Sequence, residues 1–327
     1  MQLSIAALLI GLSFSFTLST QASAQQRSDQ VVVKSATTKT ISITEFKRIR
    51  LNPKSVDEPA PIGFSELAAL AANIYMRDGE FEAGCDPSVE KRIAVPGWER
   101  LRGWSEPKAC NAALNGLQYE VWGKYTGGIM HIAVVFRGTV ATNLAHWCTN
   151  LRKVASAFCD PKSDQYLAIA GLMDDVMSGT YDEWGPDRYL YAVGHSLGGG
   201  LAELAGRSSY IDKVVTFNSS TVTADDIFKL VEKASRRGES QESAMKLLAN
   251  VSKCGYWSNN PINGNKIDLH RVYEDFDILQ ISRLISSWRQ PLSPGSRTTE
   301  YKTNLLSGSP MSQHSMKSLA CALKRPG

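Results

Sequence analysis

A serine between closely spaced glycines is the feature of this sequence with the clearest chemical meaning. Gly194, Ser196 and Gly198 form the pattern G-x-S-x-G, at the point where a predicted strand gives way to a predicted helix. At such a turn the chain bends so tightly that the serine takes a strained conformation, and only small residues fit beside it. The turn lifts the serine hydroxyl above the carboxyl edge of the sheet, where it could act as a nucleophile. A phosphate-binding turn is the alternative, but a dinucleotide site needs the spacing G-x-G-x-x-G, which this turn lacks.

A serine hydroxyl becomes a nucleophile only with a histidine base that is itself held by a carboxylate. In folds that carry the nucleophilic serine on such a strand-to-helix turn, the three residues follow one another in the chain as serine, acid and histidine. Of the five histidines, His314 is the one that follows the last predicted strand in a loop before a helix, so we predict that it is the base. A solvent-exposed surface histidine is the alternative at this position. For the acid, both Asp275 and Asp277 fit, because they follow a strand that ends at Tyr273.

The same chemistry needs hydrogen-bond donors for a developing oxyanion. The amide of Leu197 follows the serine directly at the start of the helix, and a helix N-terminus favours negative charge. We therefore predict Leu197 as one oxyanion donor. The cysteines and histidines show no zinc-binding spacing, so we predict neither a metal nor a cofactor.

The elements that must position these residues alternate between strands and helices. Apolar runs and alternation predict strands over 117–122, 130–136, 189–193, 214–217 and 267–273. Periodicity predicts helices over 64–77 and 165–177, from 201 onward, and over 316–323. This alternation is typical of an α/β fold with a mainly parallel central sheet and helices on both faces.

The chain divides into three predicted segments. Residues 1–24 are predicted as a signal peptide, 25–60 as an N-terminal arm that is part extended and part loop, and 61–327 as a single α/β domain. Within that domain, residues of about 224–253 are charged and helical in pattern. This insertion either caps a substrate pocket or forms a solvent-exposed helix.

The N-terminus predicts export. Residues 3–18 are apolar and uncharged, and small residues follow at 22–24, which is the pattern of a secretory signal cleaved after Ala24. A membrane anchor is the alternative, but the run is short and rich in serine and threonine for a bilayer span. We therefore predict that the mature protein is secreted or periplasmic.

All six cysteines follow the predicted signal peptide, and an even number in an exported chain suggests disulfides. Proximity in the sequence suggests the pairs Cys85–Cys110, Cys148–Cys159 and Cys254–Cys321. Buried free thiols are the alternative.

The composition is ordinary for a soluble globular protein, with 43% hydrophobic and 21% charged residues. The net charge of +4 is mild, and basic residues are interspersed with acidic ones, so no nucleic-acid partner is predicted. The charge is compatible with transient contact to an anionic lipid surface. The sequence leaves the oligomeric state open.

Several motifs together resemble the class 3 (fungal-type) lipase family, and the resemblance covers residues 64 to about 320. The motifs are Val134-Val135-Phe136-Arg137-Gly138-Thr139 (a strand with an R-G-[ST] loop), Trp147-Cys148-Thr149-Asn150-Leu151 (W-x-x-[DN]-L), Gly194 to Gly199 (G-H-S-L-G-G) and Asp277-Ile278-Leu279 (D-x-[VL]). The stretch Gln313-His314-Ser315-Met316 is similar to the base-bearing loop of bacterial members.

The resemblance implies an α/β-hydrolase fold and a Ser-Asp-His triad in which Asp277, rather than Asp275, is the acid. It also implies that the backbone amide of Thr139 is the second oxyanion donor. Arg137, two residues earlier, would then hold the oxyanion loop structurally.

Two segments depart from the family pattern. Residues 218–222 read N-S-S-T-V, where the family often has Gly-x-Pro-Arg-Val-Gly. Residues 139–161, where lids usually lie, contain Cys148 and Cys159, and a disulfide there would stiffen a lid. Both departures bear on activity at lipid interfaces, whereas ester hydrolysis itself does not depend on them.

Together, these residues and the resemblance predict a secreted serine esterase or lipase that hydrolyses carboxylic esters of lipids, such as acylglycerols, through an acyl-enzyme. Phospholipase A1-type activity and acyl transfer to an alcohol use the same triad and are alternatives. A catalytically silent binding module is an alternative from another class. The predicted partners are a lipid or other ester substrate and, transiently, a lipid interface.

Overall fold

The computed structural model describes residues 29–51, 62–105, 117–138, 166–208, 211–219, 267–275, 277, 279 and 296–325. The predicted signal peptide, the insertion at about 224–253 and the lid region at 139–161 lie outside these residues.

A large mixed β-sheet forms the centre of the described part of the chain. The strands are β1 Gln30–Lys34, β2 Thr38–Ser42, β3 Phe81–Glu82, β4 Arg92–Ile93, β5 Glu99–Arg100, β6 Tyr119–Thr126, β7 Ile129–Phe136, β8 Arg188–His195, β9 Lys213–Phe217, β10 Asp268–Glu274 and β11 Arg297–Thr303. Nine of these described strands make one sheet in the order β2-β1-β11-β10-β9-β8-β7-β6-β5, and β3 pairs with β4 alone. Strands β7 to β11 are parallel to one another, and the outer strands on either side are antiparallel.

Helices cover both faces of the sheet. They are α1 Ile43–Arg48, α2 Phe64–Asn73, α3 Arg102–Ser105, α4 Tyr166–Trp184, α5 Leu197–Ser208, α6 Pro310–Gln313 and α7 Met316–Lys324. Side chains alternate across each strand, so Val135 packs in one apolar cluster with α2 and α7, and Val134 packs in a second with α4 and α5. This confirms the predicted mixed α/β architecture with a mostly parallel central sheet.

The edge of the sheet differs from the sequence prediction. The N-terminal arm contributes a β-hairpin, because β1 pairs antiparallel with both β2 and β11. Strand β11 was not predicted at all, since its sequence RTTEYKT is polar and Tyr301 is its one large apolar residue. Helix α5 begins at Leu197, four residues earlier than the predicted start at residue 201.

A disulfide joins Cys85 to Cys321, with a Cα–Cα distance of 5.2 Å. The predicted pairs Cys85–Cys110 and Cys254–Cys321 are therefore wrong. Chain proximity was misleading, because α7 packs against the segment after α2, where Lys324 donates hydrogen bonds to the carbonyl groups of Ala83 (3.1 Å) and Gly84 (3.2 Å). The predicted pair Cys148–Cys159 lies outside the described residues.

Two observations bear on the compartment. The disulfide is compatible with an oxidising environment, as outside the cytoplasm. Among the helices that the structure describes, none combines the length and the apolar character needed to cross a membrane.

Candidate active site

Ser196 occupies the turn between β8 and α5 and has a left-handed backbone, with φ of +58°, which agrees with the strained conformation predicted for it. The glycines on either side are needed for close packing of the backbone. A methyl group at Gly194 would overlap the carbonyl of Gly198, and one at Gly198 would overlap the carbonyl of Phe136 in β7. The Ser196 amide donates to the carbonyl of Phe217 (3.1 Å), which ties the turn to β9.

Of the two predicted oxyanion donors, the structure describes Leu197. Leu197 is the first residue of α5, and the first amides of a helix have no acceptor within the helix, so its N–H is placed beside the serine at the positive end of the helix dipole. Thr139 lies outside the described residues. Gly138, just before it, passes so close to the turn that a Cβ added there would stand 3.1 Å from Cβ of Ser196.

The predicted acid and base are in direct contact. Asp277 Oδ1 accepts a hydrogen bond from Nδ1 of His314 at 2.8 Å and another from the amide of Leu279 at 2.9 Å. Asp277 is 2% exposed, and the His314 side chain is 17% exposed. A carboxylate that accepts from Nδ1 fixes that nitrogen as the protonated one and leaves Nε2 as the basic nitrogen. Asp275 makes an ion pair with Lys302 (2.8 Å), whereas Asp277 makes the hydrogen bond to the histidine.

His195, the residue before Ser196, contacts His314 directly. The rings of His195 and His314 lie 4.6 Å apart between centroids, and Nε2 of His195 donates to the backbone carbonyl of His314 (2.8 Å). A direct hydrogen bond between the Ser196 hydroxyl and the His314 ring is not among the contacts of the described residues.

The parallel strands explain why residues so far apart in sequence meet. Carboxyl ends of parallel strands lie at one edge of a sheet, and ligands of open α/β sheets bind outside that edge. The residues that follow successive parallel strands there are Gly138 after β7, Ser196 after β8, Asn218 after β9, Asp277 after β10 and His314 after β11.

Asn218 joins the acid-bearing and base-bearing loops. It is fully buried and has a left-handed backbone, with φ of +41°. Its side chain donates from Nδ2 to the carbonyl of Gln313 (3.1 Å) and accepts at Oδ1 from the amide of Glu274 (2.8 Å). In the sequence this residue stood out only as a departure from the family pattern, and its positioning role was missed.

Glu274, also missed, anchors the chain that leads to His314. Its buried carboxylate accepts hydrogen bonds from the Thr303 hydroxyl (2.5 Å) and from the amides of Leu305 (2.9 Å) and Leu306 (3.0 Å). Burial raises the pKa of the Glu274 carboxyl, and these donors work against that rise. The end of β10 is thus hydrogen-bonded to the chain that leads to His314, and it also leads directly into the loop that carries Asp277.

Tyr75 and Arg137 support the loop that precedes Thr139. The amide of Gly138 donates to the Tyr75 hydroxyl (2.8 Å). The Arg137 guanidinium lies 5.5 Å from the centre of the Tyr75 ring and also donates to the side-chain oxygen of Gln118. These contacts agree with the structural role that the resemblance implies for Arg137.

No family model matches the chain, and no curated protein matches it significantly. In the part of the chain that the structure describes, no three His, Cys, Asp or Glu side chains are grouped so that they could hold a metal ion. The expectation that the protein needs neither metal nor cofactor stays a prediction.

Proposed function

We propose that this protein is a secreted serine esterase of the α/β-hydrolase type that hydrolyses carboxylic esters of lipids, such as acylglycerols, through an acyl-enzyme. One observation carries the proposal. Ser196 stands in a left-handed turn between a strand and a helix, and the hydrogen-bonded pair of Asp277 and His314 lies at the same edge of the sheet.

In the proposed reaction, Oγ of Ser196 attacks the ester carbonyl carbon while Nε2 of His314 accepts the hydroxyl proton. The carbonyl oxygen becomes an oxyanion, held by the amides of Leu197 and Thr139. The bond to the alcohol then breaks, and His314 returns the proton to the leaving oxygen. Water repeats the sequence on the acyl-enzyme and releases the carboxylic acid.

The surroundings of Asp277 support its part in this sequence. Its carboxylate is buried and accepts the Nδ1 proton of His314, so it stabilises the imidazolium that forms when Nε2 takes up the serine proton. Because Leu279 also donates to the same oxygen, the carboxylate is held in one orientation towards the ring.

The substrate class and the compartment rest on other support. The sequence resemblance to class 3 lipases points to lipid esters, and the apolar N-terminal run together with the disulfide points to export. Phospholipase A1-type hydrolysis, acyl transfer to an alcohol and a silent binding function are outcomes that the test must distinguish.

The test combines covalent labelling with turnover. Purified protein is treated with a fluorophosphonate probe, and hydrolysis is measured on p-nitrophenyl esters, triglycerides and phospholipids, with and without an added alcohol acceptor. Ser196→Ala should abolish labelling and lower turnover by about six orders of magnitude. Ser178→Ala, which alters an exposed serine of α4, is the control and should behave as the wild type.

Each outcome has a distinct meaning. Full activity in Ser196→Ala contradicts the proposed nucleophile. A folded wild-type protein that is neither labelled nor active on any ester supports the binding module instead. Ester products that form only with the added alcohol support acyl transfer. Release of fatty acid from phospholipids but from no other substrate supports the phospholipase alternative.

A further inference from the structure

Three tyrosine hydroxyls in the described part of the chain contact the Nδ1 atom of a histidine. These pairs are Tyr75 with His195 (3.0 Å), Tyr191 with His131 (3.1 Å) and Tyr301 with His270 (3.1 Å). The first pair alone has further hydrogen bonds to residues of the candidate active site. The other two provide a measure of what such a pair contributes to the fold in general.

The hydrogen bonds around Tyr75 form a continuous chain. The Gly138 amide donates to the Tyr75 hydroxyl oxygen at 2.8 Å, that hydroxyl reaches Nδ1 of His195 at 3.0 Å, and Nε2 of His195 reaches the carbonyl of His314 at 2.8 Å. The chain therefore runs from the loop before Thr139 to the backbone of the predicted base.

When His195 is neutral, one arrangement of protons satisfies these three hydrogen bonds. A carbonyl oxygen can only accept, so Nε2 of neutral His195 carries the proton and Nδ1 is an acceptor. The Tyr75 hydroxyl must then donate to Nδ1, while its oxygen accepts from Gly138. Burial raises the pKa of Tyr75 well above its usual range, so the hydroxyl keeps this proton.

We propose that Tyr75 is a positioning residue of the esterase site, an inference that rests on the proposed function. Through its hydroxyl, Tyr75 fixes the Gly138 peptide next to Thr139, which would carry the second oxyanion donor. Through His195, it fixes the main chain of His314 and thereby restrains the ring of that residue. One side chain thus sets the distance between the oxyanion donors and the base.

The neighbours of Tyr75 make it suitable for this task. It lies two residues after the end of α2, and its amide donates back to the carbonyl of Ala72 (3.1 Å), so its backbone continues the last turn of that helix. Helix α2 packs against α7, which begins two residues after His314. The Arg137 guanidinium over the ring restrains the side chain from the other direction.

The test is the variant Tyr75→Phe, with Tyr301→Phe as the matched control. Each removes one hydroxyl that contacts the Nδ1 atom of a histidine, but Tyr301 lies in β11 and contacts His270 instead. Tyr75→Phe should lower kcat on a p-nitrophenyl ester about tenfold and leave KM within about twofold of the wild type. It should slow fluorophosphonate labelling by the same factor. Both effects are expected because the variant loses one hydrogen bond that aligns the reacting groups. Tyr301→Phe should keep wild-type kcat even if its thermal stability falls.

A second variant tests whether the chain of hydrogen bonds acts as a unit. His195→Leu should also lower kcat, and the double variant Tyr75→Phe/His195→Leu should lose little more than His195→Leu alone, because one broken link already disconnects the chain. His195→Gln, whose amide can still donate to the His314 carbonyl, should recover part of the lost kcat.

The outcomes separate this inference from the proposed function. If the wild type is active, three results would each overturn the role of Tyr75 and leave the proposed esterase intact. These are an unchanged kcat in Tyr75→Phe, an equal loss of kcat in Tyr75→Phe and Tyr301→Phe, and fully additive losses in the double variant. A wild type that is neither labelled nor active overturns the proposed function and the role of Tyr75 with it.

Discussion

Replacing Asn218 by alanine would disconnect the two loops that carry the predicted acid and base. The Asn218 amide bridges the carbonyl of Gln313 and the amide of Glu274, both in buried surroundings. Alanine leaves both groups without these partners, and it has to adopt the left-handed backbone at φ of +41° without the local hydrogen bonds that make it tolerable for asparagine. Glycine at the same position would lose the same two hydrogen bonds but would fit the backbone.

The expected loss of stability follows from these contacts. A buried donor or acceptor without its partner costs about 1–3 kcal/mol, so two of them amount to about 3 kcal/mol if each lies near the lower half of that range. The left-handed conformation adds about 1 kcal/mol for alanine relative to glycine. We therefore expect Asn218→Gly to lose about 3 kcal/mol and Asn218→Ala about 4 kcal/mol of unfolding free energy.

Urea unfolding followed by tryptophan fluorescence measures both losses against the wild type. The order of stability should be wild type, then Asn218→Gly, then Asn218→Ala. Esterase kcat should fall in both variants by a similar factor, because both release the His314 loop. A loss below about 0.5 kcal/mol in Asn218→Ala, the range of an ordinary surface substitution, would refute the bridging role. A glycine variant less stable than the alanine variant would refute the argument from the backbone.

Two further predictions concern stability. Burial lowers the pKa of His131 to about 4 from 6.5, so the folded protein binds fewer protons than the unfolded chain between these values, and its unfolding free energy should fall by up to about 3 kcal/mol as the pH drops through that window. His131→Phe should flatten this part of the pH profile in urea unfolding, and an unchanged slope would show that another group is responsible. The double variant Cys85→Ala/Cys321→Ala removes a link between residues 236 positions apart and should lose about 4 kcal/mol, measured by urea unfolding under non-reducing conditions. Wild-type stability in that variant would mean that the cross-link constrains the unfolded chain very little.

The central strands and the serine turn could be predicted because their signals are local. Strands β7, β8 and β9 are nearly continuous apolar runs, as expected for strands buried on both faces. The glycines around Ser196 indicate that backbone segments pack closely there, as they do wherever a strand turns sharply into a helix. Patterns of this kind need no knowledge of distant residues.

The features that were missed depend on distant partners. Asn218 acquires its role from residues 56 and 95 positions away along the chain, and nothing in its immediate neighbours indicates them. Strand β11 is polar in sequence and forms because β10 and β1 supply hydrogen bonds on both sides. Cys85 and Cys321 come together only once α7 has packed against α2 and the segment that follows it. Local periodicity in the sequence carries no information about contacts between residues that are far apart in the chain.

The pairing of β1 with β11 has a consequence for biosynthesis. Val32 lies opposite Lys302, so a strand made early in translation waits for a partner that leaves the ribosome much later. Until then, Val31 and Val33, both buried in the finished protein, remain available to other chains. The open edge of β1 is thus exposed to pairing with other chains until β11 has been made, and closing it is a late event in folding.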